Sequence, residues 1–240
     1  MSIQWLVPTL ISTSVATLAY GSPVQGLCVE IVENDLTQGE ITYRCYVNLD
    51  AGARIESVFG NSQSPLTIRP RSGRSFYQNP YGGPTSQYIN PAFLPLVPSL
   101  QWDSFVTIGS LNILGSPFAD NNLTDFGISW ASFEAGSDLD VDNGSWFIGP
   151  NDAQGQELNG SVLIGQFTVI NGNGNAWSDL EINVSLQGTD ANGDAWQMLG
   201  LTWVPAPSAI AIFGLLAIQP RRRRHASCTD DLNRRPAQHR

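Results

Sequence analysis

The spacing of the apolar runs limits this chain more than any other feature of its sequence. Segments rich in Val, Ile, Tyr, Phe and Trp, alternating or continuously apolar, recur at residues 27–32, 41–49, 54–59, 102–108, 126–133, 162–170, 180–186 and 195–203. Short runs of that composition are strands. Clusters of Gly, Asn, Asp, Ser and Pro separate them, and no long stretch carries the 3.6-residue period of an amphipathic helix. Such a chain buries its apolar faces by packing one sheet on another. The expected fold class is therefore all-β, an antiparallel β-sandwich of either jelly-roll or immunoglobulin-like topology. Asn192-Gly193, between two strand patterns, is a two-residue hairpin signal because both positions tolerate positive φ. Residues 61–100 break the pattern with seven Pro and a set of aromatics. They form the expected long ordered loop region, either as a cap over an open sheet edge or as a ligand-binding surface.

Length and charge bound the rest. At 240 residues the chain is long enough for one large domain, assigned to residues 23–203. Residues 1–203 carry five Arg and nineteen Asp or Glu, a net of −14, and residues 204–240 carry seven Arg and two Asp, a net of +5. No Lys occurs anywhere. An acidic body repels phosphate backbones, so no nucleic-acid partner is expected for it.

The two ends make matching demands. Residues 1–22 are apolar and uncharged, with small residues at Ala16, Ala19 and Gly21, and read as a secretory signal peptide. Near the other end, the ten residues 209–218 are all apolar or Gly. As a helix they would be roughly 15 Å long, about half the thickness of a bilayer core. Arg221, Arg222, Arg223 and Arg224 follow, and the positive-inside rule keeps them cytoplasmic with the body outside. Residues 225–240 form a polar tail, expected to be disordered or removed.

Val204, Pro205, Ala206 and Pro207, the short apolar helix after them and the four arginines resemble the PEP-CTERM sorting signal of Gram-negative bacteria. That resemblance implies processing by an exosortase, a membrane cysteine protease, beside the secretion machinery, and release or re-attachment at the cell surface, often near exopolysaccharide genes. It also implies membrane contact only through this C-terminal helix before processing. The stretches "FYQNPYGG", "PSLQWDSFVTIG" and "WFIGPNDAQG" are loosely similar to a β-rich body of other exported bacterial proteins, which has no assigned activity and so transfers no site residues.

Cys28 and Cys45 lie on consecutive strands. A hairpin register in which paired residue numbers sum to 73 would set them opposite each other, a geometry suited to a disulfide. A register slipped by one aligns Leu27, Val29 and Ile31 better with Tyr43, Cys45 and Val47, and puts the two cysteines on opposite faces. Cys228 lies beyond the arginines.

The chemical inventory of the body is short. Both histidines, His225 and His239, fall in the tail, and Lys is absent. This argues against Ser-His-Asp and Cys-His catalysis, His-ligated zinc and Schiff-base lysines, and neither a P-loop nor a G-x-G-x-x-G motif occurs. No enzyme is expected and no cofactor is required. A two-carboxylate glycosidase or a carbohydrate-binding module is the alternative, since nineteen acidic residues remain. No Asp or Glu sits inside a continuous apolar run that would force its burial. The one candidate cation is Ca²⁺, at Asp138, Asp140 and Asp142, whose alternation could converge in a loop; a polar turn with its tip at Asn143-Gly144 is the competing reading. Of the six Trp after the signal segment, Trp102, Trp130, Trp146, Trp177, Trp196 and Trp203, one or two at most should be exposed. The function expected is that of an exported, surface-sorted protein with a structural or interaction role in the matrix or envelope, with extracellular polysaccharide as a candidate partner.

Overall fold

The structure, a computed structural model, describes residues 22–36 and 39–203. The signal segment apart from Ser22, the 204–207 motif, the apolar run, the arginine cluster, both histidines and Cys228 lie outside the described residues. Among the described residues no helix is long and apolar enough to cross a membrane.

The fold is an all-β sandwich. Its strands are β1 (Val24–Val32), β2 (Glu40–Leu49), β3 (Arg54–Gly60), β4 (Leu66–Pro70), β5 (Ser75–Phe76), β6 (Phe105–Val106), β7 (Thr124–Phe126), β8 (Leu139–Val141), β9 (Gly144–Phe147), β10 (Ser161–Ile170), β11 (Leu180–Thr189) and β12 (Ala195–Thr202). One sheet runs β1, β2, β10, with β5 and β6 pairing successive parts of the free side of β10. In the other, β11 pairs β12 on one side and both β3 and β4 on the other. β3 and β4 are one line of strand interrupted by residues 61–65, and β8 and β9 are a second line interrupted at Asp142 and Asn143, because β8 pairs β4 and β9 pairs β3. β7 closes that edge. Every strand ladder is antiparallel.

Alternation explains which faces meet. Tyr43, Cys45 and Val47 of β2 and Ile164, Phe167 and Val169 of β10 are buried against Ile55, Val58, Leu66, Ile68, Trp146, Ile182, Val184 and Leu186 of the opposite sheet. The sandwich interior is also tied by a buried polar knot. The Tyr43 hydroxyl donates to Asp179 Oδ2 at 2.6 Å, the Asn173 amide donates to the same oxygen at 2.8 Å, and Arg74 Nη2 lies 3.4 Å from Asp179 Oδ1. The Arg74 guanidinium also donates to the carbonyls of Asn171 and Ser178. This joins β2, the β4–β5 turn and the β10–β11 connection. Burial and the neighbouring carboxylate push the Tyr43 phenol pKa well up, so the hydroxyl keeps its proton as donor.

Several expectations are corrected. The β1–β2 register pairs Cys28 with Tyr46 and Val29 with Cys45, so Cys28 and Cys45 form no disulfide. Cys45 is a free, fully buried thiol. The reason is the slipped register, which puts Leu27 and Val29 against the core beside Tyr43 and Cys45. Residues 126–133 are not a strand: β7 ends at Phe126, Gly127 takes φ +72°, and a single helical turn, α1 (Ala131–Glu134), follows. The β11–β12 hairpin exists, but its loop is 190–194, organised by the Asp190 carboxylate accepting from the Asn192 and Asp194 amides. The region without long strands begins and ends later than 61–100, because 66–70 is strand and the excursion continues past Leu100 to Leu123.

Removing one partner of a buried ion pair leaves the other charge uncompensated, at a cost of about 3–5 kcal/mol. Asp179→Ala should therefore lower the unfolding free energy by that order in denaturant titration. Tyr43→Phe, which leaves the pair and loses one hydrogen bond, should cost about 1–2 kcal/mol.

Candidate functional site

Between Arg74 and Asp120 the 45 residues 75–119 contain one charged side chain, Asp103. They fold into a lobe that both pairs with the edge of β10 and lies across the outer face of its sheet. The outward side chains of β10 are buried beneath it: Gln166 Nε2 donates to the carbonyls of Gln101 and Asp103 at 2.8 and 3.1 Å, and the Thr168 hydroxyl donates to the Trp102 carbonyl at 2.5 Å. The lobe carries its own small core of Ile89, Leu100 and Phe105, backed by Leu94, Val97 and Leu111. The excursion is thus a cap over a sheet edge, and β10, flanked by β2 and the cap, has no open side.

Asp103 organises the lobe. Its side chain is fully buried, Oδ1 accepts from the Asn79 amide at 2.7 Å, and Oδ2 accepts from the Gly83 amide at 3.0 Å. The chain passes so close that a Cβ on Gly82 would lie 1.7 Å from Oδ2, so only glycine fits there. Burial pushes the Asp103 pKa up to about 7, with Glu134 adding in the same direction against the opposing backbone donors. The expectation that no carboxylate would be forced into burial is therefore wrong twice over, for Asp103 and Asp179. The signal for Asp103 is not local in sequence, since its Asn79 and Gly83 donors lie 24 and 20 residues away. Both Asp103 oxygens are occupied by backbone donors beneath Gly82, which makes it an anchor for the 79–83 turn rather than an acid or base presented to a substrate.

The outside of the lobe is apolar as well as uncharged. Tyr81, Tyr88, Phe93, Leu96, Ile113 and Leu114 are exposed, Leu96 by 82% and Leu114 by 66%. Tyr88 packs against Gly83, and the Ile113 amide donates to the Ile89 carbonyl at 3.0 Å, which knits these segments into one unit.

The acidic cluster takes a different form from a cation cage. Asp138 precedes β8 and Asp140 lies on its outer face, with Leu139 and Val141 buried between. Arg69 Nη2 donates to Asp140 Oδ1 at 3.0 Å and its Nε lies 3.6 Å from Asp138 Oδ2, while the Thr67 hydroxyl donates to the same Asp140 oxygen. Asp142 sits at the break between β8 and β9. The alternation is that of a strand, neither a converging loop nor a hairpin turn. Among the described residues no group of three His, Cys, Asp or Glu side chains is placed to hold a metal. Farther along the same outer face, the Arg71 guanidinium stacks 4.7 Å from the centre of the Trp177 ring, with Trp203 6.0 Å beyond. Trp177 is exposed and the other five Trp are at least half-buried.

No protein-family model matches the chain, and no curated protein matches it. Among solved structures it is similar to the crystal structure of ACE19, the collagen-binding subdomain of the Enterococcus faecalis surface protein ACE, at 11% identity over 69% of this chain and 86% of that one, with a TM-score of 0.31. A likeness that slight defines no shared fold.

A carboxyl whose folded pKa is raised stabilises the fold below its unfolded pKa and loses that contribution as pH rises through the folded value. For Asp103 the window runs from about pH 4 to about pH 7. The melting temperature of the parent should therefore fall relative to Asp103→Asn as pH rises through that window; a parent that gains on the variant instead would mean a stabilised carboxylate. At Asp140, held by Arg69 and Thr67, melts in Ca²⁺ and in chelator should coincide. A rise with Ca²⁺ that vanishes in Asp140→Ala would place the ion there.

Proposed function

We propose that this is an exported β-sandwich, sorted to the cell surface through residues 204–224, whose body acts by contact in the matrix or envelope rather than by catalysis. The observation that carries this reading is the lobe: an ordered, uncharged surface with six exposed large apolar side chains on a body whose net charge is −14. Soluble monomers rarely keep such patches without a use for them. Support against the glycosidase reading comes from the buried carboxylates, since Asp103 and Asp179 have their oxygens engaged by backbone, Tyr43 and Arg74. A retaining or inverting glycosidase needs two carboxyl groups facing across a space open to sugar. Processing by an exosortase and extracellular polysaccharide as the candidate partner follow from the resemblance of the C-terminal segment, and the acidic body accords with a secreted, soluble protein.

Two readouts test it. Mass spectrometry of the surface form should find a C-terminus near Pro207, and intact Arg221 to Arg224 on a stably membrane-embedded protein would contradict sorting. On a panel of matrix polysaccharides and envelope fractions the protein should be retained without releasing reducing ends. Turnover that disappears on mutating one pair of carboxylates would make it a glycosidase.

A further inference from the structure

We propose that Asn159 is an N-glycosylation site, the acceptor for an oligosaccharide carried on a polyprenyl diphosphate. The inference rests on the export reading above, since N-glycan acceptors belong to secreted chains, and it adds a covalent sugar to a body that acts by contact.

Four stretches of the chain have the Asn-x-Ser/Thr pattern of such acceptors, beginning at Asn122, Asn143, Asn159 and Asn183. The pattern does not choose among them, but the fold does, because both the Asn amide and the hydroxyl two residues later must be within reach of a transferase. Asn183 lies within β11, paired with Thr67 on one side and Thr202 on the other; its side-chain amide donates to the Pro65 carbonyl at 2.8 Å, and Ser185 is fully buried. Asn143 is exposed, but Ser145 is held in the sheet between Phe59 of β3 and Phe126 of β7. Asn122 is clamped to the 152–154 turn, its side-chain amide donating to Asp152 Oδ2 at 2.8 Å and its backbone amide to Gln154 Oε1 at 2.9 Å.

Asn159 stands at the tip of the two-residue turn that leads into β10. Leu158 and Ser161 exchange amide-to-carbonyl bonds of 2.9 and 3.2 Å across it. Asn159 takes φ +55° and Gly160 φ +82°, the pair of positive angles that such a turn requires. The corner is open: Asn159 is exposed, and a Cβ added to Gly160 would meet only the Leu49 carbonyl, at 3.9 Å. Among the described residues nothing bonds the Asn159 side-chain amide, and the Ser161 hydroxyl, exposed at the first position of β10, makes only a 3.4 Å bond to the Leu158 carbonyl within the turn. The turn is held by other groups. Glu157 Oε2 accepts from the Gly160 amide at 2.6 Å, and the Gly160 carbonyl accepts from the Leu49 amide at 2.8 Å. A glycan on Asn159 therefore breaks no contact of the fold. In the transfer, Asn159 Nδ2 forms a bond to C1 of the first sugar and gives up a proton to the transferase, while the C1–O bond of the donor breaks and its electron pair leaves with the polyprenyl diphosphate.

The test places the full chain behind a host export leader, in a bacterium carrying a periplasmic oligosaccharyltransferase and its lipid-linked oligosaccharide, and reads intact mass and glycopeptides. A gain of one glycan on the peptide containing Asn159 is expected. Asn159→Gln and Ser161→Ala should each abolish it, and Ser161→Thr should keep it. Unmodified Ser161→Ala should melt with the unmodified parent, which makes the loss one of recognition rather than of folding. An exported chain without sugar, in cells whose control acceptor is modified, would overturn the inference and leave export standing. Sugar at Asn122, Asn143 or Asn183 with Asn159 bare would overturn it too. A chain modified behind the host leader but bare with residues 1–22 alone would remove native export and leave the site standing.

Discussion

The edge of β10 is the constraint from which much of this molecule follows. β10 is the most deeply buried strand of its sheet, and without the 75–119 excursion one whole side of its backbone would be left unpaired, a template for uncontrolled pairing with other chains. The chain covers it with two short strands, β5 and β6, and with polar contacts from Gln166 and Thr168 to the backbone of the lobe. Covering an edge with a mostly irregular segment requires that segment to be held. Asp103 does this by drawing the 79–83 turn onto a single buried carboxylate. Desolvation of that carboxylate is the cost, visible in its pKa near 7. The result is a third layer whose inner side is polar and satisfied and whose outer side is apolar and open.

The rest of the sandwich is tied in a comparable way. Asp179 joins a strand, a turn and a connection through Tyr43, Arg74 and the Asn173 amide, so elements distant in sequence meet at one buried charge. Both anchors sit where irregular backbone meets a sheet. Unsatisfied amides would be most costly there, and a carboxylate can accept several of them at once.

How much of this could be read from the sequence depends on how local the determinant is. Strands β1, β2, β3, β10, β11 and β12 follow from runs whose alternation or apolar content is visible within ten residues. The Cys28 and Cys45 question was legible too, because Leu27, Val29 and Ile31 against Tyr43, Cys45 and Val47 already favoured the register observed. β4 was hidden between Pro65 and Pro70, where proline density spoke for a loop although Leu66 and Ile68 alternate with Thr67 and Arg69. The spacing of Asp138, Asp140 and Asp142 suits both a cation loop and the outer face of a strand, and the buried Leu139 and Val141 between them were the deciding clue. Asp103 had no local signal, since its carboxylate is held by amides 24 and 20 residues upstream. Its isolation as the single charge in a long neutral stretch was the available hint.

If the lobe is a fixed layer of the sandwich and so a surface fit for contact, its anchoring amides must behave as core rather than loop. Native-state hydrogen exchange at Asn79 and Gly83 tests that most directly. The account predicts protection approaching that of β10 amides such as Thr168, lost together for both residues in Asp103→Ala. Exchange of Asn79 and Gly83 at the rate of the exposed 190–194 loop, with β10 still protected, would mean that the lobe is a loosely held loop and would contradict the account.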